Sequence, residues 1–137
     1  MIIGLGTDIV DIPRIQKSLD KYGQAFCDRV FTRLEQDYCN QSKALRTHRF
    51  AKRFAAKEAV LKALGTGRSA GIGWKDVSVS NLESGQPTLK FSGIAKQILE
   101  KKSAGKPVKT HLSLSDTQTL ATATVILEIR NETLKGK

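Results

Sequence analysis

The stretch Arg53-Phe54-Ala55-Ala56-Lys57-Glu58-Ala59-Val60-Leu61-Lys62-Ala63-Leu64-Gly65-Thr66-Gly67 constrains the chain more than any other. It is dense in Ala, Leu, Lys and Glu, the strong helix formers, so it predicts one long helix. Thr47 is the expected N-cap, and Gly65 stands where a helix hands over to a left-handed turn. At ~100° per residue, Phe50, Phe54, Leu61 and Leu64 share a face that belongs in a core. Glu58 and Lys62 sit four apart on a neighbouring face, beside the small residues Ala51, Ala55 and Ala59. That spacing admits two readings. One is an ordinary helical ion pair, worth ~0.2–0.5 kcal/mol. The other is a charged face with room beside it for a ligand. Gly65-Thr66-Gly67 is not a P-loop, because its glycines follow the helix and meet the negative end of its dipole. A phosphate held there needs lysines or a metal ion.

Charge narrows the partners. With 23 Lys+Arg against 13 Asp+Glu, the chain carries +10, which calls for an acidic partner. Nucleic acid is one such partner and stands as the rival reading. Against it, the few aromatic residues are not interleaved with basic ones as a base-stacking surface requires. The 137 residues suit one domain, residues 1–137, with a polar tail over 131–137 expected to fray. Cys27 and Cys39 lack disulfide-framework or metal-site spacing and are read as idle thiols. There is no signal-peptide pattern and no run of membrane-spanning length, so a cytoplasmic protein without membrane contact is expected.

Along the chain, Ile2 to Val10 reads as a buried strand in which Gly4 and Gly6 permit close backbone approach. Asp8 interrupts that apolar run. It is either a turn or cap aspartate, or a carboxylate paired or bound to metal. Ile12, Ile15, Leu19 and Tyr22 recur at helical spacing between Pro13 and Gly23, with Arg14, Lys17 and Lys21 on the opposite stripe. A shorter helix is expected from Gln24 to Phe31, and Thr32 to Glu35 is a capping box opening another. His48, within the basic stretch before the long helix, is read as a surface residue. Residues 68–73 read as a loop with Trp74 packing at its end. Strands are expected around Val77 to Leu82 and Thr88 to Phe91, then a helix capped by Ser92. His111 to Ser115 and Thr119 to Arg130 pair through a turn at Asp116–Gln118. Helices come mainly first and strands mainly last, which predicts an α+β fold with helices packed on an antiparallel sheet.

Four stretches occur in a fixed order: Gly6-Thr7-Asp8-Ile9-Val10-Asp11-Ile12, Arg53 to Gly67, Gly85-Gln86-Pro87, and His111 to Ser115. Together they resemble the holo-[acyl-carrier-protein] synthase family, the small bacterial type of 4'-phosphopantetheinyl transferase, over nearly the whole chain. The resemblance implies that fold and a reaction. In it, 4'-phosphopantetheine moves from coenzyme A to a serine of apo-acyl carrier protein, releasing adenosine 3',5'-bisphosphate in service of fatty-acid and lipid synthesis. Asp8 and Glu58 match the family's Mg²⁺-binding carboxylates, and Lys62 its phosphate-reaching lysine. Gly65, Thr66 and Gly67 match the turn against coenzyme A. Arg53 and His111 match positions near the nucleotide, at its 3'-phosphate. Asp8, Glu58, Lys62 and His111 form the implied catalytic set. Glu58, a metal-bound water and His111 all stand as candidate bases for the serine. Asp116 occupies a position where many relatives carry a second histidine, and that histidine's role does not transfer. The resemblance also implies a homotrimer with sites at subunit interfaces, and an acidic carrier docked on Arg14, Lys17 and Lys21. A non-catalytic module binding coenzyme A or carrier is a further alternative, separated from an enzyme by turnover.

Overall fold

The computed structural model describes residues 1–130; the tail over 131–137 lies outside the described residues. The chain runs β1 (Ile2–Asp11), α1 (Ile12–Tyr22), α2 (Gln24–Val30), α3 (Arg33–Asn40) and α4 (Arg46–Leu64). A 3₁₀ turn (Trp74–Asp76) then leads to β2 (Val77–Asn81), β3 (Pro87–Phe91), α5 (Gly93–Lys102), β4 (Val108–Asp116) and β5 (Leu120–Ile129). The expected α+β fold with antiparallel strands is present, divided into two sheets. One has the order β1-β5-β4, and the other pairs β2 with β3.

The helix α4 crosses the three-stranded sheet, and its closeness is set by small residues on both sides. A Cβ at Gly6 would lie 2.0 Å from the Ala59 carbonyl oxygen, and one at Gly4 would lie 2.3 Å from that of Ala63. Ala51, Ala55 and Ala59 are fully buried. The alanines therefore make room for other parts of the fold, not for a ligand, which corrects the reading of that face. Helix backbone meets strand backbone there, and any larger side chain would force the layers apart.

The ends of α4 divide the expectations. Gly65 adopts φ 80°, the left-handed C-cap, and its N–H donates to the Leu61 and Lys62 carbonyls. Thr47 is not the N-cap. The helix begins at Arg46 after Leu45, and the Thr47 hydroxyl donates instead to Gln16 of α1, tying two helices together. The capping box of α3 forms as expected: the Glu35 N–H donates to Thr32 Oγ1 at 3.2 Å, and the Thr32 N–H to Glu35 Oε1 at 2.8 Å. Ser92 stands at the N-cap of α5, but its hydroxyl bonds the Asp76 carbonyl and caps nothing. Tyr22, on the apolar stripe of α1, is exposed, and Leu82 lies exposed just beyond the end of β2.

Lys57 is buried, and its ammonium is 2.9 Å from Glu35 Oε1. It also donates to the carbonyls of Trp74 and Val77, while Glu35 Oε2 accepts from the Val79 N–H. One ion pair thus joins α3, α4, the 3₁₀ turn and β2. Burial pushes the Lys57 ammonium below its ordinary value, and Glu35 opposes the shift.

Candidate active site

Asp8 lies near the end of β1 and Glu58 in the middle of α4, and both line one open cleft of about 370 Å³ with Val10, Arg14, Phe26 and Phe54. Gly6 faces α4, so Asp8, two residues on, faces it too. The close Gly6–Ala59 packing brings the two carboxylates together across 50 residues of sequence. Lys62, one turn beyond Glu58, donates to Asp8 Oδ1 at 3.0 Å. Glu58 and Lys62 therefore do not form the ordinary i,i+4 ion pair; the lysine reaches to the strand instead. Burial raises the Glu58 carboxyl above its usual range, and the neighbouring Asp8 charge adds to the rise. Arg68 and Lys62 pull it back less strongly.

Whether a metal fits can be judged from the donors. Among the described residues no group of three or more His, Cys, Asp or Glu side chains converges, so there is no closed protein cage. Two carboxylates at an open cleft, one of them raised by burial and by the other's charge, form a hard oxygen site with room for water and further oxygens. That is the donor set Mg²⁺ ordinarily takes from a protein.

The other expected site residues fall elsewhere. In the sheet register Asp8 is opposite Ala123, while His111 is opposite Ile126. Alternation places Ala123 under α4 and His111 on the opposite, uncovered face. His111 there hydrogen-bonds Glu128 at 3.0 Å, which holds the Glu128 carboxyl below its usual range. With Gln86, Pro87, Thr88 and Ser113 it lines a second cleft of about 330 Å³. Within one chain the sheet separates His111 from Asp8 and Glu58.

Arg53, expected near the 3'-phosphate of the nucleotide, is held inside this chain. It is 2% exposed, stacks on the Tyr38 ring at 3.9 Å and donates to Asn81, so it braces α3 and β2 against α4. Gly65 and Gly67 both have positive φ, and a Cβ added at either would meet nothing within 4 Å, so the Gly65-Thr66-Gly67 turn lies open beside Lys62. Arg14, Lys17 and Lys21 are exposed along the back of α1. Asp116 accepts from His48 at 2.7 Å and lies 3.4 Å from Lys52. Burial raises its carboxyl, but those two partners outweigh burial and hold it below its usual range. Arg68, whose guanidinium stacks on Trp74, escapes a sequence reading, because a lone arginine in a loop carries no periodic signal.

A helix laid tightly over an antiparallel sheet brings a strand carboxylate, a helix carboxylate and a helix lysine to one open cleft, a set with hard oxygen donors for a cation and a positive charge beside them. Comparison with known proteins identifies the family. Residues 4–123 match the family described as the 4'-phosphopantetheinyl transferase superfamily. A holo-[acyl-carrier-protein] synthase of Methylorubrum extorquens (strain PA1) is 50% identical over 129 residues, 93% of this chain and 94% of that protein. One from Rhizobium leguminosarum bv. trifolii is 47% identical over 135 residues, 98% of this chain and all of that one (100%). Among solved structures, a Bacillus anthracis holo-(acyl-carrier-protein) synthase in complex with CoA (3',5'-ADP) superposes with TM-score 0.77 at 36% identity, covering 95% of this chain and 99% of that one. A Neisseria meningitidis holo-[acyl-carrier-protein] synthase gives TM-score 0.80 at 35% identity, covering 93% and 99%. The chain belongs to the 4'-phosphopantetheinyl transferase superfamily and is an enzyme of the holo-[acyl-carrier-protein] synthase type.

Proposed function

We propose that this enzyme, one domain over residues 1–137, transfers 4'-phosphopantetheine from coenzyme A to a serine hydroxyl of apo-acyl carrier protein. Adenosine 3',5'-bisphosphate leaves as the second product. The observation that carries the reading is the convergence of Asp8, Glu58 and Lys62 on one open cleft. Asp8 and Glu58 would hold Mg²⁺, whose charge would offset that of the diphosphate. Lys62 is the mobile cation of the set: its side chain is 56% exposed, and it can exchange Asp8 for a substrate phosphate. The Gly65-Thr66-Gly67 turn offers uncluttered backbone to coenzyme A, since no side chain crowds either glycine. The names of the relatives and the coenzyme A found with the Bacillus anthracis structure support the same substrate pair.

The partition of the site supports a homotrimer with interfacial sites. The sheet face that carries His111, Ser113 and Thr124 also exposes Leu5 and Ile9, each 62% accessible. A neighbour seated on that face would cover those apolar side chains and bring one subunit's His111 to another's Asp8 and Glu58. His111 thus serves the nucleotide in trans, and Arg53 acts behind it as a brace. Acidic carrier docks along Arg14, Lys17 and Lys21, and Arg14 also lines the Asp8–Glu58 cleft, so stripe and site are continuous. No helix among the described residues is long and apolar enough to cross a membrane. Both cysteines are free and buried, as suits a reducing cytoplasm.

The test is chromatographic. Adenosine 3',5'-bisphosphate should form from coenzyme A only when apo-carrier and Mg²⁺ are both present. Release without carrier, or binding of both without release, would reject the transferase reading. Light scattering should give about three times the 15.0 kDa chain mass. Mixed Glu58→Gln and His111→Ala chains should regain activity that neither has alone; an active monomer would dispose of the assembly.

A further inference from the structure

After the C-cap at Gly65 the chain does not leave α4 but folds back along it. Phe54, Glu58, Leu61 and Gly65 fall on one stripe of the helix at ~100° per residue. The returning loop lays Arg68 over that stripe, where its stem closes a small crevice lined by Leu61, Ile72, Trp74 and Val77. Its guanidinium lies 3.9 Å from the centroid of the Trp74 ring, and Trp74 in turn stacks on Phe54 at 5.1 Å. Phe54 lines the Asp8–Glu58 cleft. The backbone of Trp74 is itself anchored, because its carbonyl accepts from the buried Lys57 ammonium at 3.0 Å.

A guanidinium stacked on an indole keeps its N–H edges free in its own plane, the geometry that grips a phosphate by two oxygens. Lys62 is tied to Asp8, whereas among the described residues no carboxylate pairs directly with Arg68.

The geometry points to Arg68 as a second diphosphate-binding cation of the active site, delivered by the Phe54–Trp74 stack and complementary to Lys62. This rests on the coenzyme A reading above. Lys62 approaches the diphosphate from the strand side, and Arg68 from the loop side. The assignment is to the diphosphate and not to the 3'-phosphate, because the Trp74–Phe54 stack that carries Arg68 leads to the cleft lined by Asp8 and Glu58.

Calorimetric titration of the full-length enzyme with coenzyme A and with dephospho-coenzyme A, which lacks the 3'-phosphate, tests this. Arg68→Ala should weaken both ligands by the same factor, about 10- to 100-fold. Arg68 is exposed, so the variant should melt as the wild type does. Trp74→Leu should also weaken both ligands, and in the Arg68→Ala background it should add little, since the two act as a unit. If Trp74→Leu does not fold, the Arg68→Ala titrations decide alone. Unchanged affinity in Arg68→Ala overturns the inference. So does a loss seen with coenzyme A but absent with dephospho-coenzyme A, which would move Arg68 to the 3'-phosphate. A wild type that binds neither ligand defeats the functional reading itself, whereas a wild type that binds and transfers while Arg68→Ala equals it removes Arg68 alone.

Discussion

Replacing Lys57 by Met keeps the length and most of the volume of the side chain but deletes its charge. The Glu35 carboxylate, fully buried, then keeps only the Thr32 and Val79 N–H donors, while the Trp74 and Val77 carbonyls lose theirs. Removing one partner of a buried ion pair costs ~3–5 kcal/mol, because the desolvation of the survivor is no longer offset. For a chain of this size that corresponds to a fall in Tm of roughly 10–20 °C. Removing both charges, as in Glu35→Gln with Lys57→Met, leaves no orphaned ion. The double variant should therefore be clearly more stable than the two single losses added together. Urea denaturation followed by circular dichroism, at neutral pH on all four proteins, measures each loss and their coupling. A Lys57→Met loss below about 1 kcal/mol, or strictly additive losses, would refute the reasoning. The pair would then be contributing nothing beyond its separate hydrogen bonds.

Gly6→Ala should destabilise by ~1–3 kcal/mol or more, since its Cβ would meet the Ala59 carbonyl oxygen at 2.0 Å and backbone cannot yield cheaply. Thermal melts measure that cost, and loss of turnover should accompany it because Asp8 rides on the same strand. The Glu58 carboxyl is raised by burial and by Asp8, so the folded state holds that proton more tightly than the unfolded chain does. The stability this lends is present below the ordinary value of 4.5 and lost as pH rises through the folded value. Glu58→Gln should accordingly be more stable than wild type at neutral pH and lose that advantage in acid, as denaturation at the two pH values would reveal. Charge reversal at Lys17 or Lys21 should raise KM for the carrier and flatten the salt dependence of kcat/KM, with KM for coenzyme A unchanged. Steady-state kinetics across ionic strength checks this, and an unaltered carrier KM after reversal of all three stripe positions would leave the stripe a solvated face.

Signals carried by a few adjacent residues are legible in the sequence. Thr32 with Glu35 announces the start of α3, and Gly65 announces the end of α4, because caps depend on local backbone geometry. The pairing of β4 with β5 across the turn after Asp116 follows from alternation for the same reason. Interactions between distant elements are not legible. Glu35 looks like a capping residue and nothing more, yet its second oxygen accepts from β2 and its first also meets Lys57. Thr47 has a good capping side chain, but Gln16 competes for its hydroxyl. The alanines of α4 suggest ligand space only while the helix is considered without its partner. Gly4 and Gly6 alternate on β1 at the spacing that matches them, and pairing the two patterns reveals the close helix–sheet contact. The carboxylates of the site, by contrast, emerge through resemblance, and the fold explains their meeting: that same close contact carries Asp8 to Glu58. Resemblance groups His111 with them too, yet within one chain the sheet lies between them.

The most direct measurement is the mass of the carrier. Purified enzyme, coenzyme A, Mg²⁺ and apo-acyl carrier protein are incubated together, and the carrier is then weighed by mass spectrometry. Wild type should add one 4'-phosphopantetheine to the carrier serine, while folded Asp8→Asn and Glu58→Gln should slow that addition by orders of magnitude. An unmodified carrier with the wild-type enzyme, or near-wild-type modification by either carboxylate variant, would contradict the account.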